Sequence, residues 1–417
     1  PRCPDCPHAK AKKKAQHACD TVLNYRMALT AFAYTDFFNP RKLMIMDECH
    51  TLENHLVDFD ALIINAARCK KYKIEFKPQH TLEKAIEWMS EAYLPKIRNM
   101  VNEIEAECEY LFEKSGDQLT KNELQKIREL SKLQEHHDEV TMMSVRTPEY
   151  VSSKYVLVHD DIMFQFKRLT GEYSFHKIIE PMADKFLFMS STILDKDGYC
   201  EDLGIPADQS AFISLGSEFD KKNRPIFYMP RMKMNASWKN QERAKERKSF
   251  VNDIAQLLEM HQNESGIIHT ANFQLAIMLV EQLKDKTDHI IYHHNPESEM
   301  DRNSVIKEFQ SNPKPSILIS PSITEGLDLK DDLGRFAIIA KVGFPYLGDQ
   351  WIKKRMDMSQ QWYMRNTLID VIQASGRVVR SDTDWGNVYI VDESFAYLKN
   401  QTWHLMPRWW KDSIDTL

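Results

Sequence analysis

The sequence predicts an α/β protein: two domains built on parallel sheets, with a long helical insertion in the first. Three observations carry this. Beyond residue 250, short apolar runs at 266–269, 290–292, 316–319, 336–339 and 388–391 alternate with helical stretches, and such alternation implies crossover connections and a parallel sheet. Residues 80–140 are rich in Glu, Lys, Leu and Ile and nearly free of Gly and Pro, which is the pattern of long amphipathic helices. A chain of 417 residues is also too long for one ordinary core, so two or three domains are expected.

Composition narrows the class. Hydrophobic residues make up 42% and charged residues 28%, a globular rather than a disordered profile. No stretch approaches the ~18 uncharged apolar residues of a membrane-crossing helix, and no secretory signal is visible at the start. The net charge of −6 argues against a compact, strongly basic DNA-binding domain, though not against a protein whose basic residues line a channel. Seven cysteines, an odd number, do not form a disulfide framework. Cys3, Cys6 and Cys19 cluster, which suits a reducing cytoplasm and a metal or cluster site.

Along the chain, residues 8–35 read as helical. Asn39-Pro40 breaks the pattern, and the apolar run 43–46 is a short buried strand ending in Asp47-Glu48-Cys49-His50. The acidic run Glu103, Glu105, Glu107 and Glu109 reads as a solvated helix face. Strand patterns return at 155–158 and at 186–189, the latter ending in Ser190-Ser191-Thr192. His136-His137 and His293-His294 read as surface histidines. Trp403, Trp409 and Trp410 belong to a C-terminal helix packed on the second domain.

Four polar motifs fall at strand ends, where parallel sheets place ligands. Asp47 and Glu48 are adjacent carboxylates: nucleotide hydrolysis needs one to hold Mg²⁺ through its waters and one to orient the attacking water. His50 would couple that site to its neighbour. Ser191 and Thr192 offer hydroxyls for a relay toward nucleic acid, as does Thr270 after the strand 266–269. The run from Ser320 through Thr324, Glu325, Gly326 and Asp328 has the hydroxyls and backbone amides that suit phosphate contacts. In Gln373-Ala-Ser-Gly376-Arg377-Val-Val-Arg380 two arginines three apart share one helical face. Their guanidinium groups can clamp phosphate oxygens, with Gly376 allowing close approach of the nucleotide.

The order of these motifs resembles motifs II, III, V and VI of superfamily 2 helicases. The cysteine region is similar to that of the XPD/DinG branch: Cys3-Pro-Asp-Cys6-Pro, an Ala/Lys helix, then Asn24-Tyr25. Leu203-Gly204-Ile205 and Asn223-Arg224-Pro225 are also similar to DinG-like stretches. This resemblance implies a fold of two RecA-like motor domains with a helical arch and a remnant of an iron–sulfur module. By the same resemblance, the module would end at residues 1–20, the first motor domain would comprise 21–60 and 166–235, the arch 61–165, and the second motor domain 236–417. It further implies that ATP and Mg²⁺ would bind between the motor domains, served by Asp47, Glu48, His50, Gln373, Arg377 and Arg380, with Glu325, Gly326, Asp328 and Gly376 contacting the nucleotide. Cys3 and Cys6 would be two ligands of a [4Fe–4S] cluster, zinc being the alternative. Tyr25, Ser191, Thr192, Thr270 and Thr324 would contact nucleic acid.

The implied activity is ATP-dependent 5′→3′ translocation on single-stranded DNA and unwinding of forked duplexes by a monomer. The location would be cytoplasmic and nucleoid-associated, or nuclear in a eukaryote. One departure stands out: none of the 12 glycines is followed by Lys, so the Gly-Lys-Ser/Thr phosphate loop is missing. The expectation is an N-terminally truncated chain, inactive alone. The competing reading is an ATPase-inactive remnant that binds nucleic acid or organises a complex.

Overall fold

The computed structural model describes residues 6–115, 120–294, 301–312, 315–321, 329 and 331–416. The chain divides into two compact units, Pro1–Ala211 with Leu347–Arg355, and Phe212–Tyr346 with Met356–Leu417.

The strands of unit 1 are β1 (Met44–Met46), β2 (Leu62–Asn65), β3 (Tyr155–His159), β4 (Met163–Arg168) and β5 (Phe186–Phe188). β1 and β5 pair in parallel, with Met46 opposite Phe188. The helices Tyr25–Tyr34 and Leu52–Phe59 turn Leu29, Leu52 and Leu56 into a core shared with Phe175, Ile179 and Leu203. The helical stretch read at 8–35 is two helices, Pro7–His17 and Tyr25–Tyr34. The second starts where the Asn24 side chain accepts a hydrogen bond from the Met27 amide, satisfying a donor that the first turn leaves orphaned. Gly204 ends the helix Lys196–Leu203 at φ +66°, and a Cβ there would sit 2.4 Å from Glu172 Cγ.

The expected helical arch has a small sheet at its base. β2, β4 and β3 pair antiparallel in that order, driven by alternation in Met163–Arg168 that buries Phe164 and Phe166. The long helices Leu94–Ser115 and Lys121–Ser144 pack with Met89 and Tyr93, the second contributing Leu133 to their shared core. A capping box between Thr120 and Glu123 starts the second. Glu103, Glu105, Glu107 and Glu109 are exposed, as an amphipathic helix requires. His136 departs from the surface reading, because it is buried. Tyr93 Oη lies 2.9 Å from its Nε2 and Arg68 Nη1 lies 3.1 Å from its Nδ1. Burial first, then the charges of Arg68 and His137, hold its pKa down at about 3.

Residues Leu347–Arg355 belong to unit 1, and one buried ionic group anchors their C-terminal end. Arg355 Nη2 donates to Glu53 Oε1 at 2.9 Å and to Asp202 Oδ1 at 2.7 Å, and all three residues are buried. Trp351 Nε1 adds a bond to the Arg168 carbonyl at 2.7 Å.

The strands of unit 2 are β6 (Ile226–Met232), β7 (Gly266–His269), β8 (Ile290–His293), β9 (Ser316–Ser320), β10 (Phe336–Ile339), β11 (Asn387–Asp392) and β12 (Ile414–Thr416). They form one seven-stranded sheet in the order β12-β6-β11-β10-β7-β9-β8, parallel throughout. The helices Ala244–Met260, Phe273–Leu283, Arg302–Ser311 and Gln360–Ser375 are among its connections. β7, β9 and β10 are buried along their whole length, so they read as unbroken apolar runs rather than alternating ones. A Cβ on Gly266 would lie 2.6 Å from the Phe336 ring, so this position needs glycine for the strands to pack.

β6 differs from the sequence reading, which left it out of the second sheet and set the domain boundary at 235–236. Pro230 argues against an interior strand, since it cannot donate to the ladder. The sheet absorbs it through a register shift: Ile390 pairs with Tyr228, but Asp392 pairs with Met232. Ile226 is thereby paired on both sides, with Val388 and Ile414, and the chain divides at 211–212 instead.

The Arg355 group gives a test. Removing one partner of a buried ion group typically costs about 3–5 kcal/mol. Arg355→Ala, which leaves the Glu53 and Asp202 carboxylates buried without their guanidinium, is expected to destabilise unit 1 by that order in urea denaturation. A change below about 1 kcal/mol would show that this group does not hold the segment.

Candidate nucleotide-hydrolysis site

The parallel pairing of β1 with β5 decides the geometry in unit 1. It sets the loop Asp47–His50 beside Ser190–Thr192, tied further by the Met189 amide to the Met46 carbonyl at 2.9 Å and the Cys49 amide to the Met189 carbonyl at 3.1 Å. His50 Nδ1 and Ser190 Oγ share a hydrogen bond at 2.9 Å. Glu48 Oε2 lies 3.3 Å from His50 Nδ1 and accepts from Ser190 Oγ at 3.4 Å. Ser190 Oγ also accepts the Thr192 amide at 3.1 Å and lies 3.2 Å from Thr192 Oγ1. Motifs 140 residues apart in the chain thus meet in one carboxylate–histidine–hydroxyl cluster.

The loop backbone is unusual. Glu48 adopts φ +47°, ψ +40°, a left-handed conformation that is costly for a residue with a Cβ. Its amide is taken up by Asp47 Oδ1 at 2.9 Å. Tyr25 Oη donates to the Asp47 carbonyl at 2.7 Å and Tyr199 Oη to the Cys49 carbonyl at 3.1 Å. Burial pushes the Cys49 thiol up to about 11, so this buried cysteine stays protonated at neutral pH. The Glu48 side chain is 59% exposed and that of His50 is 7% exposed, so the carboxylate faces solvent while the imidazole is fixed behind it.

Unit 2 carries the arginine motif differently from the sequence reading. The helix Gln360–Ser375 stops at Gly376, whose amide donates to the Ile372 carbonyl at 3.0 Å. Arg377 and Arg380 therefore do not share a helical face. The intervening Val378 and Val379 are buried, and drawing them into the core takes the chain out of the helix. Arg377 is buried and Arg380 exposed. The Arg380 amide donates to Asp384 Oδ2 at 2.9 Å, while Asp384 Oδ1 accepts from Arg335 Nη1 at 2.7 Å. Gln373 is half-buried and Gly376 exposed.

Sequence reasoning missed two supports of this loop. Trp410 Nε1 donates to Ser375 Oγ at 2.8 Å, inside the core; the tryptophan was legible as a packed residue, but its partner was not. His269 ends β7 beside Arg377. Burial first and the Arg377 charge second push its pKa down to about 4, with a hydrogen bond to the Ala374 backbone acting in the opposite direction.

The remaining expected site residues scatter. Tyr25 is half-buried with its hydroxyl committed to Asp47, and Ser191 is exposed. Thr192 and Thr270 are fully buried, and Thr270 Oγ1 donates to the Asn272 carbonyl, so neither hydroxyl faces a strand of nucleic acid. Ser190, rather than Ser191 or Thr192, holds the centre of the cluster. Cys3, Thr324, Glu325, Gly326 and Asp328 lie outside the described residues. Cys6 is described and partly buried. Among the described residues no group of three or more His, Cys, Asp or Glu could hold a metal ion, so those residues alone do not make an iron–sulfur or zinc site.

Residues 254–413 match the family model of the helicase C-terminal domain. The fold is similar to that of a solved XPD helicase, at a TM-score of 0.50 and 13% identity over 93% of this chain and 72% of that one. The chain thus carries a match to the helicase C-terminal domain family over residues 254–413 and shares its fold with the solved XPD helicase. Its α/β architecture is accordingly RecA-like. Two curated relatives are the regulator of telomere elongation helicase 1 homologs of Caenorhabditis elegans, 28% identical over 108 residues, and Caenorhabditis briggsae, 30% identical over 108 residues. Each match covers 22% of this chain and 11% of the relative's length.

In this fold both His136 and His269 are held neutral. The sign follows from proton counts: below the ordinary histidine pKa of 6.5 the unfolded chain binds protons that the folded chain refuses. Stability is therefore expected to fall as pH drops from 6.5 toward 4, with His269 alone accounting for about 3 kcal/mol. Denaturation midpoints across that range check it; His269→Gln should flatten the slope, and an unchanged slope would contradict the assignment.

Proposed function

We propose that this chain is the motor of an ATP-dependent DNA helicase that moves 5′→3′ along single-stranded DNA and opens forked duplexes as a monomer. The observation that carries the reading is the meeting of Asp47, Glu48, His50 and Ser190 at the paired ends of β1 and β5. The match of residues 254–413 to the helicase C-terminal domain supports a helicase; the direction, the strand and ATP turnover are this reading's own additions.

In this reading Glu48 orients the water that attacks the terminal phosphate of ATP. A carboxylate serves because it accepts the water's hydrogen bond while its exposed position leaves room for substrate. His50 and Ser190 fix its rotamer and connect it to the chain after β5. Asp47 would hold Mg²⁺ through its waters, and the bound ion would neutralise charge on the phosphate oxygens. Arg377 and Arg380 stabilise the charge that builds on the transferred phosphoryl group, the role that guanidinium groups fill by bidentate geometry. Arg377 is buried, and Arg380 has its backbone anchored on Asp384. Contacts to the DNA strand are by phosphate recognition and stacking, hence tolerant of sequence.

The test is strand displacement from partial duplexes carrying either a 5′ or a 3′ single-stranded tail, using the full-length protein. The expected result is ATP-dependent displacement from the 5′-tailed substrate only, lost by at least about a hundredfold in Arg377→Ala. Displacement from the 3′ tail alone would overturn the direction. DNA binding without any displacement would favour a binding protein in helicase form.

A further inference from the structure

Five backbone groups around Glu48 have hydrogen-bond partners. The Asp47 carbonyl takes Tyr25 Oη, the Glu48 amide takes Asp47 Oδ1, and the Glu48 carbonyl takes the amide and hydroxyl of Thr51. The Cys49 amide takes the Met189 carbonyl, and the Cys49 carbonyl takes Tyr199 Oη. Three of these five partners come from the loop itself or from the strand pairing. The other two are tyrosine hydroxyls brought in from distant helices, Tyr25–Tyr34 and Lys196–Leu203, and they grip the carbonyls of the residues before and after Glu48.

We propose that Tyr199 and Tyr25 are positioning residues for Glu48: their hydroxyls clamp the two flanking carbonyls and hold Glu48 in its left-handed conformation, with its carboxylate within reach of Ser190 and His50. The proposal rests on the reading of Glu48 as the water-orienting carboxylate. A left-handed non-glycine residue relaxes toward ordinary backbone angles unless its surroundings over-determine it. Here the flanking carbonyls are the handles. If the 47–48 peptide plane gripped by Tyr25 rotates, the Glu48 side chain leaves the 3.3 Å and 3.4 Å contacts to His50 and Ser190; if the 49–50 plane gripped by Tyr199 rotates, His50 leaves the same contact from the other side. Both rings are anchored independently of their hydroxyls. Tyr25 packs against His55 with ring centroids 5.0 Å apart, and Tyr199 against Phe188 at 5.6 Å. Burial is the main cause that raises the pKa of each phenol, so each remains a donor across the range where the enzyme is assayed. Removing only the hydroxyl keeps the packing and deletes the clamp.

The experiment is steady-state ATP hydrolysis with saturating single-stranded DNA by the full-length protein and its Tyr199→Phe, Tyr25→Phe and doubly substituted forms. Tyr34→Phe, an exposed tyrosine in the same unit, is the control. Each single variant should lower kcat about fivefold, and the double variant by tenfold or more, with the KM for ATP within about twofold of wild type. Melting temperatures should stay close to wild type. A kcat within about twofold in the double variant overturns the proposal, as does a fall in kcat tracked by an equal fall in melting temperature and a rise in KM. A wild-type protein that turns over no ATP overturns the reading of Glu48, and this inference with it.

Discussion

Everything assigned to the hydrolysis site depends on one short parallel pairing, Met44–Met46 against Phe186–Phe188. Parallel strands send their C-terminal ends the same way. Pairing these two therefore brings together His50 and Ser190, which the intervening arch separates by 140 positions. The arch can be long because it leaves and returns on the same unit, through its own antiparallel base and its own core around Tyr93, Phe164 and Phe166. Loop-closure entropy rises only slowly with the length of what is inserted, so the pairing tolerates a large insertion once the insertion can fold on its own core.

The two units solve the same problem with different materials. In unit 1 the reactive groups stand on a strained loop; the strain persists because the backbone groups on both sides of Glu48 are hydrogen-bonded. In unit 2 the arginines stand just past a helix end, on a segment pulled into the core by Val378 and Val379. They are steadied by Asp384 and, through Ser375, by Trp410. Buried charge is used sparingly, as at Arg355, where a guanidinium has two carboxylates. This fits the cost of burying an ionised group without a partner.

Strands such as Gly266–His269 and Phe336–Ile339 were legible in the sequence, because a strand buried on both faces must be apolar throughout. Ile226–Met232 was hidden by Pro230, whose accommodation needs a register shift that only the neighbouring strand reveals. The carboxylates Asp47 and Glu48 and the serine–threonine run were legible by residue type and order. Which hydroxyl mattered was not, because Ser190, Ser191 and Thr192 differ only in the direction in which the chain leaves β5. Arg377 and Arg380 were legible as a pair but not as a buried and an exposed residue, since helix spacing misled where Gly376 ends the helix. Tyr199 carried no signal at all: a tyrosine between Gly198 and Cys200 becomes informative only when its hydroxyl is seen on the Cys49 carbonyl.

The central claim, that the Asp47–His50 loop and Ser190 form an ATP-hydrolysing centre driven by DNA, is tested most directly by ATP hydrolysis of the full-length protein with and without single-stranded DNA, comparing wild type with Glu48→Gln. Turnover should require DNA and fall by at least about a thousandfold in the variant, with DNA binding retained in both. Equal hydrolysis by the two proteins, or DNA binding with no hydrolysis by either, would contradict it.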